Sequence, residues 1–192
     1  MRLYALELIS KMSDDNLALY MLQFSQTLLY EDYHFSALGE MLLERALHNP
    51  YVVGHAFFWA LKANLHMRTS YERYSLLLEQ FLMLCGNFKR ELKIQFEVNN
   101  NLVTVSQCVQ QYGRVLKKRR KEAKKRGLPH PPSVNTMGAQ KLMEVREKLP
   151  ALFTISIEPK ILIRDFDYPG LVVFDSKKKP LRLVGINEQL GG

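Results

Sequence analysis

The residues best suited to chemistry lie near the C-terminus, in a segment from Asp175 to Pro180 that holds one serine and three lysines. Two short β-prone runs flank this segment, so the pattern predicts a hairpin with the lysines at its turn. Ammonium and hydroxyl groups on a turn can hold a polyphosphate through charge and hydrogen bonds. Lysines at hairpin turns also occur as solvated protection of a sheet edge, and both interpretations stay open.

A second group of charges lies between Arg114 and Arg126, where nine basic residues are opposed by one acid. This segment alone accounts for the formal net charge of +8. It predicts a solvated helix end, a contact with an anionic membrane surface, or a nucleic-acid contact. The segment lacks the interleaved aromatic residues and the reading helix of a nucleic-acid binder, which argues against nucleic acid as a partner. The candidate membrane-contact residues are Lys117, Lys118, Arg119, Arg120, Lys121, Lys124, Lys125 and Arg126.

Three histidines, His48, His55 and His66, invite a metal interpretation. Pro50 interrupts the helical spacing between the first two, and no cysteine or carboxylate completes a ligand set. Capping, hydrogen bonding in the core or exposure on a polar stripe is therefore favoured over metal binding.

The segment from Asn49 to His66 organises the helical part of the chain. Asn49 is a suitable N-cap, and Pro50 fits the first helical position. Apolar residues occupy most of the helix circumference, so the helix needs neighbours on at least two sides. Helical spacing places His55, Lys62 and His66 on one polar stripe, which we expect to face solvent or a partner.

Apolar residues at helical spacing predict such neighbours on both sides of this segment. Thr69 and Glu72 form a capping box at the start of one helix, and Gly86 stands where a glycine would end it. The three asparagines that begin at Asn99 are a weak point in a long helix, and residues 127–133 form a linker. The other helices are predicted over about 3–12, 13–30, 36–48, 87–126 and 136–148.

From Ala151 onward the pattern changes to short extended runs. Segments 153–157 and 161–163 look extended, and the runs 171–174 and 181–184 form the two strands of the lysine-bearing hairpin. No apolar run reaches the length of a transmembrane helix. The chain is therefore predicted to be mainly α, an antiparallel helical-repeat array with a short C-terminal β-hairpin.

Several segments resemble the helical domain of phosphoinositide 3-kinase catalytic subunits. The family pattern joins an aspartate-rich helix start to Leu-Leu-x-x-Ala-Leu and then Gly-His-x-x-Phe-Trp-x-Leu-x-x-x-x-His. The pair Phe58-Trp59, between His55 and His66, is its most specific part. The matching segments are 13–31 (SDDNLALYMLQFSQTLLYE), 43–46 (LERA), 54–66 (GHAFFWALKANLH) and 71–86 (YERYSLLLEQFLMLCG).

The segment from Asp175 to Leu181 resembles the first hairpin of the same family's kinase N-lobe, whose loop covers the phosphates of ATP. The resemblance implies that Ser176 and Lys178 face the phosphates and that Phe174 flanks the adenine. Two positions depart from the family pattern, since Arg182 replaces the usual tryptophan and Phe174 the usual methionine.

The resemblance implies a phosphatidylinositol 3-kinase, in which ATP and magnesium serve to phosphorylate the inositol 3-hydroxyl. Its domains would be a helical domain at 1–126, a linker with a short helix at 127–150, and a partial N-lobe at 151–192. The strand lysine, the catalytic loop and the metal-binding Asp-Phe-Gly are absent from these 192 residues. This chain alone is therefore expected to be inactive and to hold no cofactor by itself.

The implied partners are a regulatory adaptor subunit, the remaining kinase domain and a phosphoinositide membrane surface. The implied location is the cytoplasm, with peripheral association to membranes. The alternative from another class is a non-enzymatic helical-repeat scaffold, because helix arrays present long grooves to partners without any chemistry of their own.

Overall fold

The computed structural model describes residues 2–176 and 178–187, and for residues 2 and 3 it describes the backbone only. The described part is mainly α with antiparallel strand pairs toward the C-terminus, which confirms the predicted fold class. The chain divides between Leu92 and Lys93 into two compact units, here called unit 1 and unit 2. The predicted domains at 1–126, 127–150 and 151–192 are functional divisions and stay a prediction.

Unit 1 is built from helices joined by short turns. The helices are α1 (Arg2–Ser10), α2 (Asp14–Leu19), α3 (Met21–Thr27), α4 (Ala37–His48), α5 (His55–Asn64) and α6 (Tyr71–Leu84). A 3₁₀ turn (Leu28–Tyr30) follows α3, and a π turn (Pro50–Gly54) precedes α5.

Helix α5 has the neighbours that its apolar circumference requires. It packs against α3, α4 and α6, and its fully buried Phe57 meets the ring of Phe81 edge-on at 5.7 Å between centroids. The predicted exposure of the polar stripe is wrong at His55, which is only 8% exposed. The reason is that α5 continues directly from a buried turn, so its first residue enters the core.

The turn before α5 shows why a glycine stands at position 54. Asn49 caps the turn as predicted, its Oδ1 accepting from the Val52 N–H at 3.3 Å. A Cβ placed on Gly54 would lie 2.7 Å from the carbonyl oxygen of Ala46 and 2.8 Å from Cζ of Phe81. The close approach of this turn to α4 and α6 therefore needs a residue without a side chain.

Several helix boundaries differ from the prediction, and the segment predicted as one helix from Asn49 to His66 is divided into the π turn and α5. The helix predicted over 13–30 is broken at Tyr20 (φ −96°, ψ 7°), where no glycine or proline gives a local signal. The capping box at Thr69 is wrong, because α6 begins at Tyr71 and the hydroxyl of Ser70 donates instead to the Asn64 carbonyl at 2.8 Å. The end of α6 is as predicted, with Gly86 at φ +58° just beyond it.

Helix α7 (Phe88–Lys125) runs through the division between the units, and unit 2 contains the rest of the chain. The elements after α7 are α8 (Val134–Arg146), β1 (Ile163–Phe166), β2 (Val172–Val173), β3 (Leu181–Arg182) and β4 (Gly185–Asn187). Strands β2 and β3 form the predicted antiparallel hairpin, while β1 pairs with β4, a strand that the sequence pattern did not indicate. Of the predicted extended segments at 153–157 and 161–163, the structure retains one bridge between Phe153 and Ile163, the first residue of β1.

Helix α7 is continuous through the asparagines where a weak point was predicted. The side-chain amide of Asn99 donates to the Ser156 hydroxyl at 2.7 Å, and that of Gln95 donates to the Thr154 hydroxyl at 2.9 Å. These bonds to the segment before β1 compensate for a low helix propensity. Among the described residues, no helix combines the length and hydropathy required to cross a bilayer.

Candidate anion-binding loop and basic helix

The loop between β2 and β3 is closed by backbone hydrogen bonds. The Phe174 N–H donates to the Pro180 carbonyl at 3.0 Å, directly beyond the strand pairing of Val173 with Leu181. Inside the loop, the Lys179 N–H donates to the Ser176 carbonyl at 3.2 Å. A short hairpin thus presents the residues that the sequence selected for phosphate chemistry.

The three predicted nucleotide residues all lie on this loop and are open to solvent. Phe174 is 50% exposed, and Ser176 and Lys178 are exposed as well. The carbonyl of Lys178 accepts a 3.4 Å hydrogen bond from Gln110 of α7, which ties the loop to that helix. Lys177 lies outside the described residues. The assignment of Phe174, Ser176 and Lys178 to ATP stays a prediction.

Lys179 holds the loop against α7. Its backbone adopts φ +49°, a left-handed conformation that is uncommon for a residue with a side chain. Its side chain is 22% exposed, lies over Gly113 and forms an ion pair with Asp175. The hydrogen bond from Lys179, followed by the charges of Lys179 and Lys117, holds the pKa of the Asp175 carboxyl below its usual range. Lys179 is thus a structural lysine, which the sequence did not distinguish from its neighbours.

The predicted membrane-contact residues occupy the last turns of α7, and Arg126 follows directly after the helix. All eight side chains are exposed, from Lys117 to Arg126. Arg119 lies 5.5 Å from the centroid of the Tyr112 ring, and the Tyr112 hydroxyl donates to the Pro132 carbonyl at 2.8 Å. The basic segment is therefore a solvated helical end with one cation–π contact, and its membrane contact stays a prediction.

The basic helix and the loop meet at an open groove of about 570 Å³ within unit 2. On the helix side, the lining positions follow i, i+3, i+4 and i+7 spacing, which places them on one face of α7. On the loop side, a carboxylate, a hydroxyl and an ammonium contribute. The lining residues are Gln110, Gly113, Arg114, Lys117, Asp175, Ser176 and Lys179.

Two of the three histidines considered for a metal each lie close to a nearby backbone carbonyl of the same segment. Nδ1 of His48 lies 2.9 Å from the Glu44 carbonyl oxygen, and Nδ1 of His66 lies 2.9 Å from that of Ala63. Across the described part of the chain, no group of three or more histidine, cysteine, aspartate or glutamate side chains is arranged to hold a metal.

A structural cluster surrounds Asp165, the first residue of the Asp-Phe-Asp segment. Its carboxylate accepts from the Tyr168 hydroxyl at 2.6 Å and lies 3.4 Å from Nε of Arg146. Burial tends to raise the pKa of Asp165, but hydrogen bonds from Tyr168 and the Phe166 N–H, together with nearby arginines, lower it overall. Burial and the bond to Asp165 raise the pKa of Tyr168 to about 12.

The sequence of this chain is similar to the sequences of known proteins. Residues 1–94 match the accessory domain (PIK domain) of the phosphoinositide 3-kinase family. Phosphatidylinositol 3-kinase 2 of Dictyostelium discoideum is 34% identical over 188 residues, which cover 95% of this chain and 9% of that protein. Phosphatidylinositol 3-kinase 1 of the same organism is 32% identical over 196 residues, which cover 98% of this chain and 11% of that protein. Phosphatidylinositol 3-kinase 3 is 38% identical over 96 residues, or 47% of this chain and 6% of the relative.

Residues 1–94 thus match an accessory domain in sequence, and the structure describes residues 2–94 as mainly helical. The chain belongs to the phosphoinositide 3-kinase family, as the sequence resemblance predicted. It spans about a tenth of the length of the first two relatives.

Proposed function

We propose that this chain is part of a phosphatidylinositol 3-kinase that transfers phosphate from ATP to the inositol 3-hydroxyl of phosphoinositides. The observation that carries the proposal is the similarity to two phosphatidylinositol 3-kinases, which extends over 95% and 98% of the chain and so includes the loop as well as the helices. Unit 1 is the helical scaffold in this proposal, and the β2–β3 loop is the edge of the nucleotide site.

The donors on the loop suit the phosphates of ATP. Ser176 offers a hydroxyl and Lys178 an ammonium, and both are exposed on a turn that backbone hydrogen bonds hold in shape. Phe174 provides an apolar ring at the loop entrance for the adenine. Asp175 is paired with Lys179, so we assign no magnesium ligand to this loop.

The 192 residues alone are expected to lack phosphotransferase activity, because phosphoryl transfer requires metals, a positioned nucleophile and charge stabilisation together. Purified chain incubated with ATP, magnesium and phosphatidylinositol should yield no 3-phosphorylated lipid. Robust turnover by this preparation would contradict the expectation.

Nucleotide binding is tested by titrating the chain with ATP and following the phosphorus resonances. We expect weak binding, with a Kd above about 10 μM, since only one wall of the site is present. Lys178→Ala should weaken it by about threefold or more, because a charge-assisted contact is lost. Lys148→Ala, which removes another exposed lysine of unit 2, is the matched control. Equal behaviour of the two variants would refute the assignment of the loop.

The scaffold is proposed to contact the remaining kinase domain and a regulatory adaptor subunit, with the protein in the cytoplasm and peripherally on membranes. The exposed basic end of α7 supports the membrane contact, since each basic residue near an anionic surface contributes about 1 kcal/mol. Cosedimentation with phosphatidylserine vesicles at low salt, but not with phosphatidylcholine vesicles, is the expected result. Binding that ignores lipid charge would contradict it.

A non-enzymatic interaction scaffold is a second candidate, favoured by an apolar groove of about 420 Å³ in unit 1 that Leu6, Ile9 and Phe24 help to line. The genomic sequence on both sides of these residues separates the two functions. A strand lysine and a catalytic loop following in frame support the kinase. A stop codon after Gly192, with stable expression of the chain, supports the scaffold.

A further inference from the structure

The groove between α7 and the β2–β3 loop unites two features that the sequence presented separately, a lysine-bearing turn and a basic helix. Arg114 and Lys117 are one turn apart on α7, and Ser176 approaches from the loop. Neither Phe174 nor Lys178, the other nucleotide residues, is among the lining residues. The groove is therefore on the helix side of the loop and is separate from the proposed adenine and Lys178 contacts.

The charges of the groove are of one sign except for a single carboxylate. Arg114, Lys117 and Lys179 contribute cations, and the carboxylate of Asp175 pairs with Lys179. Within the described residues, Arg114 and Lys117 take part in no ion pair, so their charges are available to a ligand. Both side chains are exposed, and a groove of about 570 Å³ is large enough for a phosphate-bearing anion.

We propose that this groove is a phosphate-binding site in which Arg114 and Lys117 hold the anion and the Ser176 hydroxyl donates to it. Arginine suits this role because its planar guanidinium can donate two parallel hydrogen bonds to phosphate oxygens. Asp175 opposes the ligand, since its carboxylate lies at the same groove and neutralises Lys179. The site shares Ser176 with the proposed nucleotide site, but it requires neither the adenine contact nor Lys178.

The ligand is a multiply charged phosphate that is either free or carried on a lipid headgroup. Calorimetric titration of the chain with inorganic tripolyphosphate tests the free anion. Flotation with phosphatidylcholine vesicles, with and without phosphatidylinositol 4-phosphate, tests the headgroup. Binding of tripolyphosphate identifies a free anion as a ligand, and binding to the phosphoinositide vesicles alone identifies the headgroup.

The double variant Arg114→Ala/Lys117→Ala should weaken binding about tenfold or more, since two charge-assisted contacts are lost. The matched control is Arg90→Ala/Lys93→Ala, which removes one arginine and one lysine at the same spacing from exposed positions of α7 outside both the groove and the basic segment. The control should change the affinity by roughly twofold or less, because charges that do not contact the ligand are screened by solvent and salt. Thermal unfolding by circular dichroism should be the same for all these proteins.

Asp175→Asn provides a variant that should gain affinity. Removing the carboxylate frees Lys179 from its partner and adds one positive charge to the groove, so binding should tighten by about threefold to fivefold. The proposal is overturned if neither probe binds, if the control weakens binding as much as the groove variant, or if Asp175→Asn fails to tighten it.

Discussion

Substitution of Gly54 by alanine tests the packing of unit 1, because helix propensity and close packing predict changes of opposite sign in the free energy of unfolding. Gly54 has helical dihedrals (φ −64°, ψ −38°), so on backbone propensity alone alanine should stabilise the fold by about 1 kcal/mol. The new Cβ would, however, lie 2.7 Å from the Ala46 carbonyl oxygen and 2.8 Å from the Phe81 ring. A backbone atom cannot move aside as a flexible side chain can.

Overpacking of this kind costs about 1–3 kcal/mol of stability. Two contacts below 3.0 Å, one of them with a backbone atom, correspond to the upper part of that range, about 2–3 kcal/mol. After the gain of about 1 kcal/mol in helix propensity, Gly54→Ala should therefore lower the free energy of unfolding of unit 1 by about 1–2 kcal/mol. Gly39→Ala is the matched control, because its Cβ would meet nothing closer than the Ser36 hydroxyl at 3.4 Å. That variant should be neutral or more stable by about 0.5 kcal/mol.

Urea unfolding followed by the fluorescence of Trp59 measures both variants. The chain has one tryptophan, and its ring lies 5.1 Å from that of Phe58, so the signal reports on unit 1. The midpoint should fall for Gly54→Ala and stay the same or rise for Gly39→Ala. A Gly54→Ala protein as stable as the parent would mean that the π turn does not pack closely against α4 and α6.

Two further predictions concern the ties between α1, α2 and α4. Arg45 donates to the Ser10 and Met12 carbonyls at 2.8 Å and to the Asp14 carboxylate at 2.6 Å. Arg45→Ala removes these bonds and should therefore lower the free energy of unfolding by about 2–3 kcal/mol in the same urea assay. Hydrogen bonds from Arg45 and Asn49 hold the pKa of Asp14 below its ordinary 3.8. The parent should therefore have a higher free energy of unfolding than Asp14→Asn, by an amount that is constant at neutral pH and disappears as the pH falls below 3.8.

Each of these has a contradicting outcome. If Arg45→Ala and the parent have the same free energy of unfolding within experimental error, these hydrogen bonds merely replace bonds to water. The pKa of Asp14 is lower in the folded state than in the unfolded chain. The stabilisation from its carboxylate is therefore complete at pH values above the pKa of the unfolded chain and is lost as the pH falls below it. A stability gap to Asp14→Asn that persists unchanged into the acid range would show that charge does not cause it.

Local signals predicted the parts of the fold that depend on a few neighbouring residues. Asn49 before Pro50 predicted the capped turn that leads into α5. Gly86, which adopts a left-handed conformation, predicted the end of α6. The β2–β3 hairpin followed from its turn and flanking apolar runs. In each case the chemistry that decides the structure lies within a few positions of the residue concerned.

Features that depend on distant residues were missed. Strand β4 exists because it pairs with β1, and the asparagines of α7 stay helical because Asn99 bonds to Ser156. His55 is buried by the elements around α5 rather than by its own neighbours in sequence. The phosphate groove could not be predicted either, because a linker, a helix and two strands separate Arg114 from Ser176 in the sequence.

The contact of Lys179 with Gly113 joins two positions that lie far apart in the sequence. A Cβ on residue 113 would lie 3.3 Å from Cε of Lys179, so alanine would shift the lysine side chain by a few tenths of an ångström, and a longer side chain would compete with the lysine for its place beside the helix. A mutation in the helix would thus act on the loop. Across relatives of this chain, positions 113 and 179 should therefore covary, with a long side chain at 179 inherited together with the smallest residue at 113.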